Sequence, residues 1–172
     1  MKKLIIASAV ALSLASVASH AANGTVNFTG TVTAPTCDIV VGGPASGGSN
    51  TIDLGSVIVD GDGTAKDFVL KASPTVSCTG HTGDVEVSWQ TAAMSEKGVV
   101  STGTATDAFA SLTAVNSKKP NQPINSTNNA VLFSGDDLKS DTGAGLQFKA
   151  QLHGGKVAGA YQSTISYMVA YK

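Results

Sequence analysis

The sequence contains no arginine: all eleven basic residues are lysines, and only 13% of the chain is charged. Without guanidinium forks to grip phosphate or guanine through paired hydrogen bonds, it is not suited to nucleic-acid recognition. Aromatic residues are scarce at 5%, with one tryptophan. A sugar-binding groove around Trp89 would need companion aromatics and polar partners that the sequence nearby does not show, so Trp89 reads as core. The chain has two cysteines, Cys37 and Cys78, and a metal site built on them would need further ligands beyond His81 and His153. The acidic turn Asp60-Gly61-Asp62-Gly63 lacks the glutamate of a calcium loop. A nucleophile elbow and a phosphate loop are also missing, and a Ser/Asp triad drawn through His81 or His153 means nothing without geometry. Neither catalysis nor a cofactor is expected. Helical periodicity is absent, as is any apolar run after Ala22 long enough to span a bilayer.

What is present begins with a leader. Met1-Lys2-Lys3 is basic, residues 4–17 are apolar apart from three serines, and Ser19-His20-Ala21 offers small residues where a signal peptidase reads. This predicts a secretory signal over residues 1–21. The remaining 151 residues make one domain's worth of chain, with nine lysines against twelve acidic residues and a formal charge of −3. Export places Cys37 and Cys78 in an oxidising compartment, where one structural disulfide is expected. The loop it closes is about 42 residues long, worth roughly 4 kcal/mol in the chain-entropy account.

Alternation with a period of two dominates the rest. In the run from Gly24 to Thr33, Val26, Phe28, Gly30 and Val32 share one face and small polar residues the other. Gly30 is the odd member, because glycine inside a strand often marks a close approach by another group. The same run suits an ordinary first strand, and the residues leave both readings open. Residues 51–57 alternate, residues 68–78 read as a strand interrupted near Pro74, and residues 85–90 alternate with Trp89 inward. Residues 109–115 suggest one short strand. Lys118-Lys119-Pro120-Asn121-Gln122-Pro123 looks like an exposed loop, Val131-Leu132-Phe133 is a brief apolar run, and residues 146–153 alternate well. Short strands separated by turn signals predict an all-β, immunoglobulin-like sandwich of two antiparallel sheets.

The last run, residues 160–172, is the strongest strand in the sequence. Tyr161, Ile165, Tyr167, Val169 and Tyr171 lie on one parity, with Gln162, Thr164, Ser166 and Ala170 on the other. A strand inside a sheet needs neighbours on both sides, and no later segment of the chain supplies the second. The expectation is a vacancy beside this strand.

A leading alternating run and a last strand with an open side resemble the subunits of chaperone–usher fimbriae, the pilins of Gram-negative surface fibres, and in particular a type 1-like major pilin. The matching residues are the run from Gly24 to Val32, Cys37, Asp53-Leu54-Gly55, residues 68–78, Leu146-Gln147-Phe148-Lys149-Ala150 and the ending. In that family a glycine stands fourteenth from the C-terminus and a tyrosine next to last. Gly159 and Tyr171 hold those places.

The resemblance implies an incomplete immunoglobulin-like sandwich lacking its last strand, with residues 22–34 as a donor-strand extension and 35–172 as the pilin domain. Val26, Phe28 and Val32 would fill pockets in the neighbouring copy, and Gly30 would sit where the groove floor leaves no room. Gly159, Tyr161, Ile165, Tyr167, Val169, Tyr171 and Lys172 would form the acceptor groove and chaperone-binding end. Implied partners are a periplasmic pilus chaperone, an outer-membrane usher, further copies of the chain in a surface fimbrium, and a possible host receptor. The implied role is structural polymerisation contributing to adhesion. The rivals are a subunit that itself binds a host glycan and a minor adaptor pilin.

Overall fold

The computed structural model describes residues 37–43, 50–73, 83–139 and 142–172. The expected signal segment, the donor residues Val26, Phe28, Gly30 and Val32, and Cys78 and His81 lie outside these. The described strands, in chain order, are β1 (Ile39–Gly42), β2 (Lys66–Ala72), β3 (Asp84–Gln90), β4 (Met94–Ser95), β5 (Gly98–Val100), β6 (Phe109–Ala114), β7 (Gln122–Ile124), β8 (Ala130–Ser134), β9 (Leu146–His153) and β10 (Ser166–Tyr171). A single 3-10 turn, Gly135–Leu138, follows β8. The protein is all-β, as its alternation predicts.

Two antiparallel sheets face each other. One runs β1-β2-β9-β6-β5-β4, with β7 also on β6; the other runs β10-β3-β8. In β3 every second residue, Val85, Val87 and Trp89, is buried, while Glu86 and Ser88 are partly exposed. In β9 the buried set is Leu146, Phe148, Ala150 and Leu152. Each strand therefore gives one face to the space between the sheets, where hydrophobic side chains escape water.

Aromatic rings fill the middle of that space. Phe148 stacks on Phe68 with centroids 5.4 Å apart and meets Trp89 and Phe133 edge-on at 5.1 and 5.3 Å. Trp89 in turn leans on Tyr167 of β10 at 5.7 Å. Offset and edge-on contacts of this kind suit the ring quadrupoles. Phe148 touches rings from both sheets and is fully buried.

The structure refines several sequence expectations. Residues 118–123 are not wholly loop, because Gln122 and Pro123 enter β7 as edge partners of β6. Proline is tolerated at an edge, where its missing N–H leaves no gap in a ladder. β4 and β5 are two and three residues long, too short to leave a periodic trace. Residues 51–54 keep their alternation, with Ile52 and Leu54 packed against the core, but Val57 breaks the parity and residues 51–57 form no ladder.

Phe148→Ala should lower the free energy of unfolding by about 3–5 kcal/mol, whereas Met168→Ala, on the exposed parity of β10, should change it by less than about 0.5 kcal/mol. Denaturant midpoints of the two variants give the comparison.

Candidate functional site

β10 is paired with β3 through six residues, from Ser166 opposite Gln90 to Tyr171 opposite Val85. Among the described residues no strand pairs with its other side, and β1 likewise pairs only with β2. These two edges belong to opposite sheets and are laced together by tyrosine hydroxyls. The Tyr167 hydroxyl donates to the Ile39 carbonyl at 3.2 Å. Tyr171 accepts from the Cys37 N–H at 3.1 Å and donates to its carbonyl at 3.3 Å. Cys37 is disulfide-bonded.

Along this seam the apolar side chains are only partly covered. Ile165, Tyr167, Val169 and Tyr171 from the β10 side, Ile39 and Val41 from β1, and Ile52 and Leu54 from the following segment all pack against the core without being fully buried. Their neighbours Gln162, Thr164, Ser166 and Met168 are exposed. The parity read from the sequence thus holds from Tyr161 to Val169, although the ladder begins only at Ser166. An apolar row that keeps some contact with water retains part of the driving force that a covering group would release.

Beyond the start of β10 the seam opens into a groove of about 840 Å³, walled by residues 51–59 and 157–163 and backed by Ala105, Ala108, Leu152, Gly154 and Gly155. Residues 160–162 are held in place by a loop between β5 and β6. Thr102 N–H donates to the Gln162 carbonyl at 2.7 Å, and Ala105 N–H to the Ala160 carbonyl at 3.1 Å. The Ala160 N–H donates to the Thr104 hydroxyl at 2.9 Å. The Tyr161 hydroxyl donates to the Val99 carbonyl at 3.0 Å. Burial pushes the phenols of Tyr161 and Tyr167 above the usual tyrosine range, so both remain neutral donors.

Gly159 stands where this wall begins. A Cβ there would lie 2.6 Å from the Ala105 nitrogen and 2.6 Å from the Thr104 carbonyl carbon. Its φ is not in the left-handed region, so close approach, rather than a turn that needs glycine, is what the position demands. At the other end, Lys172 N–H donates to the Asp84 carbonyl at 2.8 Å and its ammonium lies 3.3 Å from Glu86. Gly159, Tyr161, Ile165, Tyr167, Val169, Tyr171 and Lys172 therefore lie along one continuous edge.

Sequence reasoning did not assign residues 51–59 to the groove; the inward Ile52 and Leu54 were the available signal. Nor did it foresee the partners of His153. Its Nδ1 is 2.6 Å from an Asp62 carboxylate oxygen, and its Nε2 is 3.0 Å from the Ser111 hydroxyl. The order Asp-His-Ser resembles a nucleophile relay, but Ser111 lies mid-strand in β6, between β9 and the β5/β7 side. A nucleophile would also need backbone donors converging on an oxyanion, and the Ser111 hydroxyl instead spans to the neighbouring strand at His153 and Gln151. Asp62 and His153 also form a β-bridge, Gly63 N–H donates to Leu152 at 2.8 Å, and Gly154 N–H donates to Gly61 at 2.8 Å. The cluster fastens the turn over residues 58–63 to the end of β9.

No protein-family model matches the chain. It is 37% identical to the F107 fimbrial protein of Escherichia coli over 179 aligned positions that cover 100% of both chains. It is 39% identical to the K99 fimbrial protein of Escherichia coli over 77 positions, 43% of this chain and 41% of that one. Among solved structures, the P pilus rod subunit PapA is similar with a TM-score of 0.49 at 16% identity, over 86% of this chain and 100% of that one.

Tyr167→Phe keeps the ring against Trp89 and removes only the bond to Ile39. It should cost about 0.5–1.5 kcal/mol of stability, read as a lowered denaturant midpoint, and amide exchange should quicken in β1 more than in β9.

Proposed function

The chain belongs to the fimbrial proteins and is a structural subunit of a surface fimbria rather than an enzyme; from that premise we propose that it polymerises by donor-strand exchange as a shaft subunit. The observation that supports this most directly is the partly covered apolar row shared by β10, β1 and residues 52–54, continuous with an open groove. An extended segment laid along β10 would find backbone partners on the side that no described strand pairs, and apolar side chains beneath it. That is strand addition, with backbone hydrogen bonds for attachment and alternate side chains for register.

Residues 22–34 of a neighbouring copy are the proposed donor. Val26, Phe28 and Val32 enter the seam, and at roughly 1.5–3 kcal/mol for each buried side chain they contribute about 5–9 kcal/mol before ordering costs. Gly30 passes the narrowest point, where a side chain has no room. Before assembly, a periplasmic chaperone occupies the same edge and holds the terminal carboxylate of Lys172. At an outer-membrane usher the next subunit's extension replaces it. The route begins with removal of residues 1–21, and formation of a Cys37–Cys78 disulfide follows in the periplasm. The assembled fibre contributes to adhesion.

Two experiments test this reading. Gly30→Leu alters only the donor, so it should still bind chaperone yet fail to enter fibres; normal fibres of this variant under the electron microscope would remove the role given to glycine. Fusing a copy of residues 22–34 after Lys172 through a short linker should give a monomer melting at least about 10 °C above the unfused chain. An unchanged melting temperature would count against the open groove.

A further inference from the structure

Five large apolar side chains are exposed in the described residues, and three of them stand together. Ile58 is 79% exposed, Val157 50% and Val59 43%, and all three border the groove over residues 51–59 and 157–163. They are not on a loose loop. Gly61 N–H donates to the Ile58 carbonyl at 3.0 Å, and Asp60 N–H donates to the Gly155 carbonyl at 3.2 Å. The Asp62–His153 pair secures the same turn. At Gly154 any side chain would collide with the Ile58 carbonyl, so the turn lies directly on the backbone of the strand end. A firmly held apolar lip at the mouth of a binding groove is costly to leave in water unless something covers it.

Chain direction indicates what does. Every strand pair among the described residues is antiparallel. A donor strand that follows the same rule on β10 ends beside the start of β10, at the 157–163 wall. The donor's own domain then begins almost at once: Val32 to Cys37 is five steps of chain, at most about 18 Å when extended. The neighbour's folded body is thereby brought to the lip and kept there at high effective concentration.

We propose that Ile58, Val59 and Val157 form a second contact between copies, on which the body of the strand-donating neighbour rests. The proposal rests on the donor-strand reading above. The inserted strand joins the subunits, and the lip restricts the hinge between them, giving the joint a preferred angle. The surface continues the groove and takes a second copy of this chain, not a host molecule.

Thiol accessibility tests it. With Cys37 held in a disulfide, Ile58→Cys supplies a free thiol in assembled fibres and in the fused-strand monomer. Reaction with a maleimide should be at least about tenfold slower in fibres than in that monomer, and Val157→Cys should behave alike. Failure of both variants to form fibres, while their fused monomers melt normally, would also support a contact needed for assembly. Equal reactivity in fibres and monomer overturns the proposal and leaves the lip to an outside partner or to solvent. A fused monomer without added stability overturns the donor-strand reading itself, and a stabilised monomer with an equally reactive lip overturns only this contact.

Discussion

An edge strand whose apolar face is only partly covered constrains everything around it. β10 must be held firmly enough by β3 to remain a strand, yet its other side must stay available among the described residues. Unprotected edges invite indiscriminate pairing, and proteins usually blunt them with charge, proline or a covering element. Here the edge carries Tyr167, Val169 and Tyr171 inward and has its only lysine at the very end, so it is not blunted. An edge of this composition suits a protein whose partner is extended chain.

The rest of the sandwich supplies the rigidity that this edge lacks. Phe148 joins rings from both sheets, and Trp89 carries that packing to Tyr167 on β10. The tyrosine hydroxyls then reach across to the backbone of β1 and Cys37. Side chains thus connect two edges that no described strand joins by a backbone ladder. Their hydrogen bonds are individually modest, near 1 kcal/mol, so the seam is positioned without being sealed. Farther along, the loop carrying Thr102 and Ala105 holds residues 160–162 by their backbone, which preserves the inward and outward parity where no sheet partner exists.

Strands long enough to alternate were legible in the sequence: β2, β3, β9 and the inward parity of β10 follow from which residues are apolar. β4, β5 and β7 were not, because two or three residues cannot show a period and because Pro123 argues against a strand unless its edge position is known. The groove was half legible. Tyr161 marks one wall and Ile165, Tyr167 and Val169 the seam that leads to it, but the other wall comes from residues 51–59, brought opposite only by the fold. Gly159 could be singled out by position, whereas its reason, the backbone of Thr104 and Ala105 pressed against it, depends on a contact more than fifty residues distant. The Asp62–His153–Ser111 cluster shows the opposite limit. A sequence offers many such triads, and only the setting of Ser111 mid-strand opposite Gln151 of β9 makes this one a fastening.

A subunit stabilised by its neighbour's strand has a stability that depends on assembly. While unassembled, the partly covered row weakens the native state relative to compact alternatives and exposes an edge, the combination that favours aggregation. Once a strand is inserted, its removal requires breaking a whole ladder and returning several apolar side chains to water together. The joint is then governed by a slow opening rate rather than by simple dissociation. In the proposed joint no nucleotide would be needed, because covering the partly exposed apolar row would supply the driving force. On the proposed donor-strand reading the groove and the donor segment are different parts of each copy, so the contact would be head-to-tail and would propagate instead of closing into a symmetric pair.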